Sequence, residues 1–106
     1  MATVARWTDY RGRPVDLTDE ALAHITSSHP EFSEPLTRIE GALTEPERVM
    51  RDAKISRAEC YYRMIGGRVM VKVVVIFRPS PTGWVGEVLT AHPTERYGRG
   101  EQQLWP

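Results

Sequence analysis

The first half of the chain carries apolar residues at the 3.6-residue spacing of amphipathic helices. Thr18 is a suitable N-cap for a first helix, and the acids Asp19 and Glu20 in the next two positions favour a helix N-terminus. Pro30 disfavours helical geometry at the residue before it. The first helix is therefore expected to end near Ser28.

A second helix is predicted to follow after a short break. Ser33 is its expected N-cap, Pro35 is tolerated in its first turn, and Pro46 ends it. Its buried face is expected to carry three residues at helical spacing: Leu36, Ile39 and Leu43.

In the second half, apolar positions alternate with a period of two, which is typical of β-strands. The glycine pair at residues 66–67 separates two strand-like runs, 58–65 and 68–77, and glycine accepts the positive φ angles of a tight hairpin turn. A further strand is expected over residues 84–91, and residues 49–50 are expected to begin the sheet. The predicted fold is α+β, with two N-terminal helices packed on a four-stranded antiparallel meander sheet.

A two-residue turn sets the register of this hairpin. Ile65 then pairs with Arg68, so Tyr61 lies opposite Lys72. Because side chains alternate between the faces of a sheet, one face is predicted to be the core: Cys60, Tyr62, Met64, Val69, Val71, Val73 and Val75. The other face is predicted to be polar at one end: Glu59, Tyr61, Arg63, Met70, Lys72, Val74 and Ile76. Thr90, near the end of the last strand, is expected on the core side.

Charge is distributed unevenly, although the net charge is zero. Residues 16–47 hold eight acids and one base, whereas residues 48–78 hold eight bases and two acids. Such asymmetry indicates a surface that steers an anionic partner, which zero net charge alone would not predict. The alternative is that the helices favour Glu and the strands tolerate Arg.

Length and composition predict one domain over residues 1–106 with a single core. No charged-then-apolar leader opens the chain, and no apolar run reaches the roughly 20 residues of a membrane helix. The lone Cys60 fits a reducing compartment. A cytoplasmic protein without membrane contact is therefore expected.

The three histidines, His24, His29 and His92, are the side chains best suited to proton transfer near neutral pH. Metal-independent RNA cleavage needs a base for the ribose 2′-OH, an acid for the leaving oxygen, and hydrogen-bond donors or cations for the phosphorane. Histidine suits the first two roles. For any single residue, the alternative is a buried structural histidine or a charge that keeps a sheet face in water.

Four short motifs occur in an order that resembles a known superfamily. They are His24-Ile25-x3-His29-Pro30-Glu31, Tyr61-Tyr62-Arg63, Val88-x-Thr90-Ala91 and Gly100-Glu101-x2-Leu104-Trp105. This order resembles the small phage- and mobile-element-associated proteins of the barnase/EndoU/colicin/RelE-like superfamily. The resemblance implies helices on one side of a four-stranded antiparallel sheet, and metal-independent ribonuclease or toxin activity. Where such nucleases have Thr-Ala-Tyr, this chain has His92 in place of the tyrosine.

The sequence thus predicts a metal-independent endoribonuclease that acts as a toxin or mobile-element effector. The predicted catalytic residues are His24, His29, Arg63, Thr90 and His92. The predicted substrate-binding residues are Tyr61, Arg68 and Lys72. No metal site and no cofactor are predicted, RNA and a cognate antitoxin or immunity protein are the expected partners, and the oligomeric state is left open. The alternative hypothesis is a catalytically inactive binding module of the same fold for a protein or RNA partner.

Overall fold

A computed structural model describes residues 2–106 as two helices packed on one mixed, seven-stranded sheet. The elements, in chain order, are β1 (Thr3–Thr8), β2 (Pro14–Thr18), α1 (Asp19–Ser28), α2 (Pro35–Thr44), β3 (Arg48–Arg51), β4 (Ala58–Gly66), β5 (Val69–Ser80), β6 (Gly83–Thr94) and β7 (Gln102–Trp105). The strand order is β1-β2-β6-β5-β4-β3-β7. All neighbouring strands are antiparallel except β2 and β6, which are parallel.

The predicted four-stranded antiparallel meander is wrong, because the sheet extends beyond it at both edges. On one side, the β1–β2 hairpin joins β6 through the pairs Val15–Gly86 and Asp16–Glu87. On the other side, β7 pairs with β3. A meander alone would leave two rows of unpaired backbone N–H and C=O groups, and the segments at the two ends of the chain pair with them. The result is a mainly β fold.

The helices lie close to their predicted positions. Thr18 is the N-cap of α1 and its side chain accepts a hydrogen bond from the Ala21 backbone N–H at 3.2 Å, as the sequence predicts. The N-cap of α2 is Glu34, in a left-handed conformation with φ of 50°, and not Ser33. Leu36 is largely exposed, so its predicted place on the buried face is wrong. The helix buries Ile39, Ala42 and Leu43.

The register of the β4–β5 hairpin differs from the prediction by one residue. Gly66 pairs with Val69, and the register shifts between Met64 and Gly66, so that Tyr61 lies opposite Val73 and not Lys72. A shift of one residue moves every side chain of a strand to the other face. The predicted faces of β4 are therefore reversed, whereas those of β5 are correct.

The buried residues form two hydrophobic clusters, one on each face of the sheet, and their members reflect the reversed faces of β4. The main cluster joins both helices to one face of the sheet: Val15, Leu17, Ile25, Phe32, Ile39, Ala42, Leu43, Val49, Tyr61, Val71, Val73, Val75, Phe77, Val88 and Ala91. The second cluster lies on the opposite face: Met50, Ala58, Cys60, Tyr62, Met70 and Val74. Cys60 and Tyr62 were expected under the helices, and they belong to the second cluster instead.

The β5–β6 hairpin also departs from the predicted register. The strands run on to the pair Ser80–Gly83, so no long loop separates them. The register shifts between Val74 and Val75, which leaves Leu89 as an extra residue in β6. Thr90 consequently pairs with Val74 of the second cluster. Its predicted position on the core side is wrong, because a bulge reverses the alternation that follows it.

The C-terminal segment returns to the sheet, where β7 pairs with β3. The ring of Trp105 contacts that of Tyr10, with centroids 5.3 Å apart. Among residues 2–106, neither helix is long and apolar enough to cross a membrane.

Candidate functional site

Two of the predicted catalytic histidines are brought together. His29 is the C-cap of α1, where its backbone N–H donates to the Ile25 carbonyl at 2.9 Å. His92 lies near the end of β6. Their imidazole rings stack with centroids 5.0 Å apart and an interplanar angle of 28°. Each ring is partly exposed, so both remain open to a ligand.

The surroundings of the two rings differ. His92 Nδ1 lies 3.0 Å from the Pro93 carbonyl oxygen. Since a carbonyl only accepts, this contact assigns the Nδ1–H tautomer to the neutral ring and leaves a lone pair on Nε2. His29 Nδ1 lies 3.7 Å from Glu31 Oε2, which forms an ion pair when the ring is protonated. The two rings therefore have different polar neighbours, a carboxylate beside His29 and a backbone carbonyl beside His92.

Lys72 and Thr90 lie beside His92 on the sheet. Lys72 is the direct cross-strand partner of His92, and Thr90 precedes His92 by two residues on the same strand. Residues two apart on a strand share a face, as do direct cross-strand partners. Three of the eight predicted site residues, Lys72, Thr90 and His92, thus share one face of the sheet, and His29 contacts this group through the ring of His92.

A partly buried ion pair holds Lys72 in place. Its Nζ donates to Glu101 Oε2 at 2.7 Å, and the Tyr62 hydroxyl donates to Glu101 Oε1 at 2.6 Å. Burial alone would raise the pKa of Glu101, but the hydrogen bonds from Lys72 and Tyr62 outweigh it and hold that pKa below its usual value. Burial, followed by the hydrogen bond to Glu101, raises the pKa of Tyr62.

One set of potential metal ligands occurs among the described residues: Asp52, Cys60 and Glu101, whose ligand atoms lie within 4.8 Å of one another. Burial, and next the charge of Glu101, raise the pKa of the Cys60 thiol to about 12. Both Glu101 oxygens already accept hydrogen bonds. A cation would have to displace the Lys72 ammonium and the Cys60 proton, so this set fits a hydrogen-bonded core better than a metal centre.

The other four predicted site residues lie elsewhere. His24 is exposed on α1, with its Nδ1 3.5 Å from the Ser28 hydroxyl. Arg63 Nη1 donates to the Glu45 carbonyl at 2.6 Å, at the end of α2. Arg68 is exposed beside the β4–β5 turn. Tyr61 is fully buried in the main cluster, so it does not lie on an open polar face with Lys72.

Tyr61 belongs to a buried polar network that the sequence does not predict. Its hydroxyl donates to Asp9 Oδ2 at 2.7 Å. The Arg13 guanidinium donates to Asp9 Oδ2 at 2.9 Å and to both Glu59 oxygens, at 2.8 and 3.0 Å. Burial works against the charge of Arg13, but the hydrogen bonds to Glu59 and Asp9 raise its pKa. Burial and the Asp9 hydrogen bond raise the pKa of Tyr61.

The only sequence signal for this network is its tight turn. Asp9 Oδ1 accepts the Arg11 and Arg13 backbone N–H groups at 3.0 and 2.8 Å, a local arrangement typical of aspartate in turns. Glu59 joins across the sheet from β4, far along the chain, so spacing could not reveal it.

No family model, curated protein or solved structure matches this chain. The resemblance to the barnase/EndoU/colicin/RelE-like superfamily therefore stays a prediction that rests on its short motifs.

Proposed function

We propose that the protein is a metal-independent ribonuclease in which His29 and His92 transfer the protons. The stacked pair of these two imidazoles carries the proposal. Both belong to the residues that the motif order marks as catalytic, although they come from different elements of the fold.

The chemistry assigns a different task to each ring. His92 Nε2 accepts the proton of a ribose 2′-OH, and the 2′-oxygen bonds to the adjacent phosphorus. The bond from phosphorus to the 5′-oxygen breaks, and the leaving oxygen takes its proton from the His29 imidazolium. The products are a 2′,3′-cyclic phosphate and a free 5′-OH.

Lys72 and Thr90 support the transition state of this reaction. The Lys72 ammonium has three N–H bonds, one of which is directed to Glu101, and the Thr90 hydroxyl is a further donor on the same face. Donors fixed near developing phosphorane charge lower the barrier because they need little reorganisation.

The test is incubation of the purified protein with total RNA in EDTA, comparing wild type with His29→Ala, His92→Ala and His24→Ala. Wild type and His24→Ala should cleave, whereas each of the other two variants should lose roughly 100-fold or more in rate. His24 is the matched control, because it is exposed on α1 outside the stacked pair. Absence of cleavage by wild type, or full activity of His29→Ala, would contradict the proposal.

As an RNA-cleaving effector, the protein would act in the cytoplasm and have a cognate antitoxin or immunity protein as a second partner. Expression should then arrest growth, and co-expression of the partner should relieve the arrest. His92→Ala is the control. Because this variant should not cleave RNA, its expression should not arrest growth even when the partner is absent.

A catalytically inactive binding module is the second candidate. It is favoured by the position of Arg63, whose guanidinium binds a helix-end carbonyl away from the histidines, and by His92 standing where relatives of the resembled superfamily have tyrosine. It predicts salt-sensitive binding of RNA or protein without turnover.

A further inference from the structure

A cleft of about 260 Å³ is lined by four arginines and one tryptophan. Arg11 and Arg13 come from the β1–β2 turn, and Arg51 and Arg57 come from β3 and the loop that follows it. Trp84 stands at the start of β6. Glu59 is the one carboxylate in the lining, so the cleft has an excess of positive charge.

The four arginines are not equivalent. Arg13 is held by Asp9 and Glu59, and its guanidinium lies 4.0 Å over the Phe77 ring. Arg11 and Arg57 are exposed, and their side chains make no hydrogen bond or ion pair with any residue of the described part of the chain. These two carry charge that is available to a ligand.

Arg51 lies between these extremes. Its Nη1 donates to the Ser56 carbonyl at 2.6 Å, which leaves its other donors available. The same residue lines an adjoining depression of about 570 Å³ that also contains Lys54. Asp52 also lines this depression, so the excess of positive charge lies in the cleft itself.

Trp84 adds an exposed aromatic ring to this charge. It is 50 % exposed beside the β5–β6 turn, and its cross-strand partner is Pro79. A large indole left in water beside available guanidinium groups is the combination that binds single strands, where bases stack on aromatic rings and cations contact phosphates.

We infer that this cleft binds the backbone and one base of single-stranded nucleic acid. Arg11, Arg51 and Arg57 contact phosphates, and Trp84 stacks on the base. Trp84 and His92 are eight positions apart on β6, roughly 26 Å at the rise of a strand, so the cleft is separate from the histidine pair. The inference depends on the charge and the aromatic ring of the cleft. It rests on the proposed function only in the choice of an RNA-like probe for the test.

The test measures binding of a fluorescein-labelled 2′-O-methyl oligouridine by anisotropy, because this probe lacks the 2′-OH and cannot be cleaved. Trp84→Ala should weaken binding by roughly tenfold, and Trp84→Phe should retain most of the affinity. Arg11→Ala and Arg57→Ala should each weaken binding and lower the slope of log affinity against log salt by about 0.7.

Arg68→Ala is the matched control, since Arg68 is an exposed arginine beside the β4–β5 turn and does not line the cleft. Its affinity should equal that of wild type. Equal losses in Arg68→Ala and Arg57→Ala would show diffuse charge attraction and overturn the inference. Absence of probe binding by wild type would also overturn the inference. Polyglutamate that binds as tightly as the probe, with an affinity that Trp84→Ala does not change, would overturn it too, because it would indicate an acidic protein partner.

The two proposals fail in different ways. If wild type binds the probe through Trp84 but never cleaves RNA, the ribonuclease proposal fails and the cleft stands. If wild type cleaves RNA while the cleft variants bind and cleave normally, only the cleft inference fails.

Discussion

The imidazole of His29 stacks on that of His92, with ring centroids 5.0 Å apart. One ring is at the end of α1 and the other near the end of β6, so the contact exists only in the folded chain. Their polar neighbours differ: Glu31 lies beside His29, and the Pro93 carbonyl lies beside His92.

If the two rings act as one catalytic unit, their substitutions should not be additive. The double variant His29→Ala/His92→Ala should cleave RNA within a few-fold of the slower single variant, because removing either partner already disables the transfer. Single-turnover rates in EDTA measure this. Losses that multiply would show two independent roles and no shared proton-transfer step.

Replacement of Arg13 should strongly destabilise the protein. Arg13→Ala leaves the carboxylates of Asp9 and Glu59 buried without their cation, which costs about 3–5 kcal/mol. Tyr61→Phe removes one buried hydrogen bond and should cost about 1–2 kcal/mol. Urea unfolding measures both, with Arg68→Ala as an exposed control expected within about 0.5 kcal/mol of wild type. A cost for Arg13→Ala no larger than that of the control would contradict the network.

Two Gly→Ala substitutions should change stability in opposite directions. A Cβ at Gly86 would lie 2.6 Å from Val75 Cγ1 and 2.8 Å from Phe77 Cε1, and such overpacking costs about 1–3 kcal/mol. A Cβ at Gly41, inside α2, would meet Arg63 at an ordinary 3.5 Å. Alanine there should stabilise the helix by about 0.5–1 kcal/mol. Thermal unfolding gives the melting temperature of each variant. Equal changes in melting temperature for the two variants would refute the packing described around Gly86.

The free energy of unfolding should depend on pH through the carboxyl group of Glu101. Its pKa in the folded state lies below the ordinary 4.5, so its contribution is present above that value and is lost as pH falls through the lower folded-state pKa. Glu101→Gln should be less stable than wild type at pH 7, and the difference should shrink as pH falls below 4.5. Urea midpoints across this range measure it. A difference that stays constant on acidification would mean that the Lys72 ion pair contributes nothing.

Cys60 should be inert in the folded protein. Its side chain is fully buried, and burial followed by the Glu101 charge raises its pKa to about 12. A thiol-specific disulfide reagent at pH 8 should therefore react orders of magnitude faster in urea than in native buffer. Rapid modification of the native protein would show that the second cluster opens.

Periodicity identified most elements because it reflects which side of a segment meets the core. The cap at Thr18, the end of α1 near Ser28 and the glycine-turn hairpin all follow from local chemistry. The strand registers do not, because bulges near Gly66 and Leu89 insert single residues that alternation cannot locate. Each bulge reversed a face, which moved Tyr61 into the main core and Thr90 to the opposite side.

By itself, the sequence determined the two helices, the central strands and the histidines as candidates, since capping, turn geometry and proton chemistry depend on neighbouring residues or on residue type. Only the tertiary structure decided which histidines meet, which strands complete the sheet edges, and that Arg13 joins Asp9 with Glu59. These contacts join residues far apart in the chain. Their geometry depends on how strands pair and helices pack, and no local pattern records it.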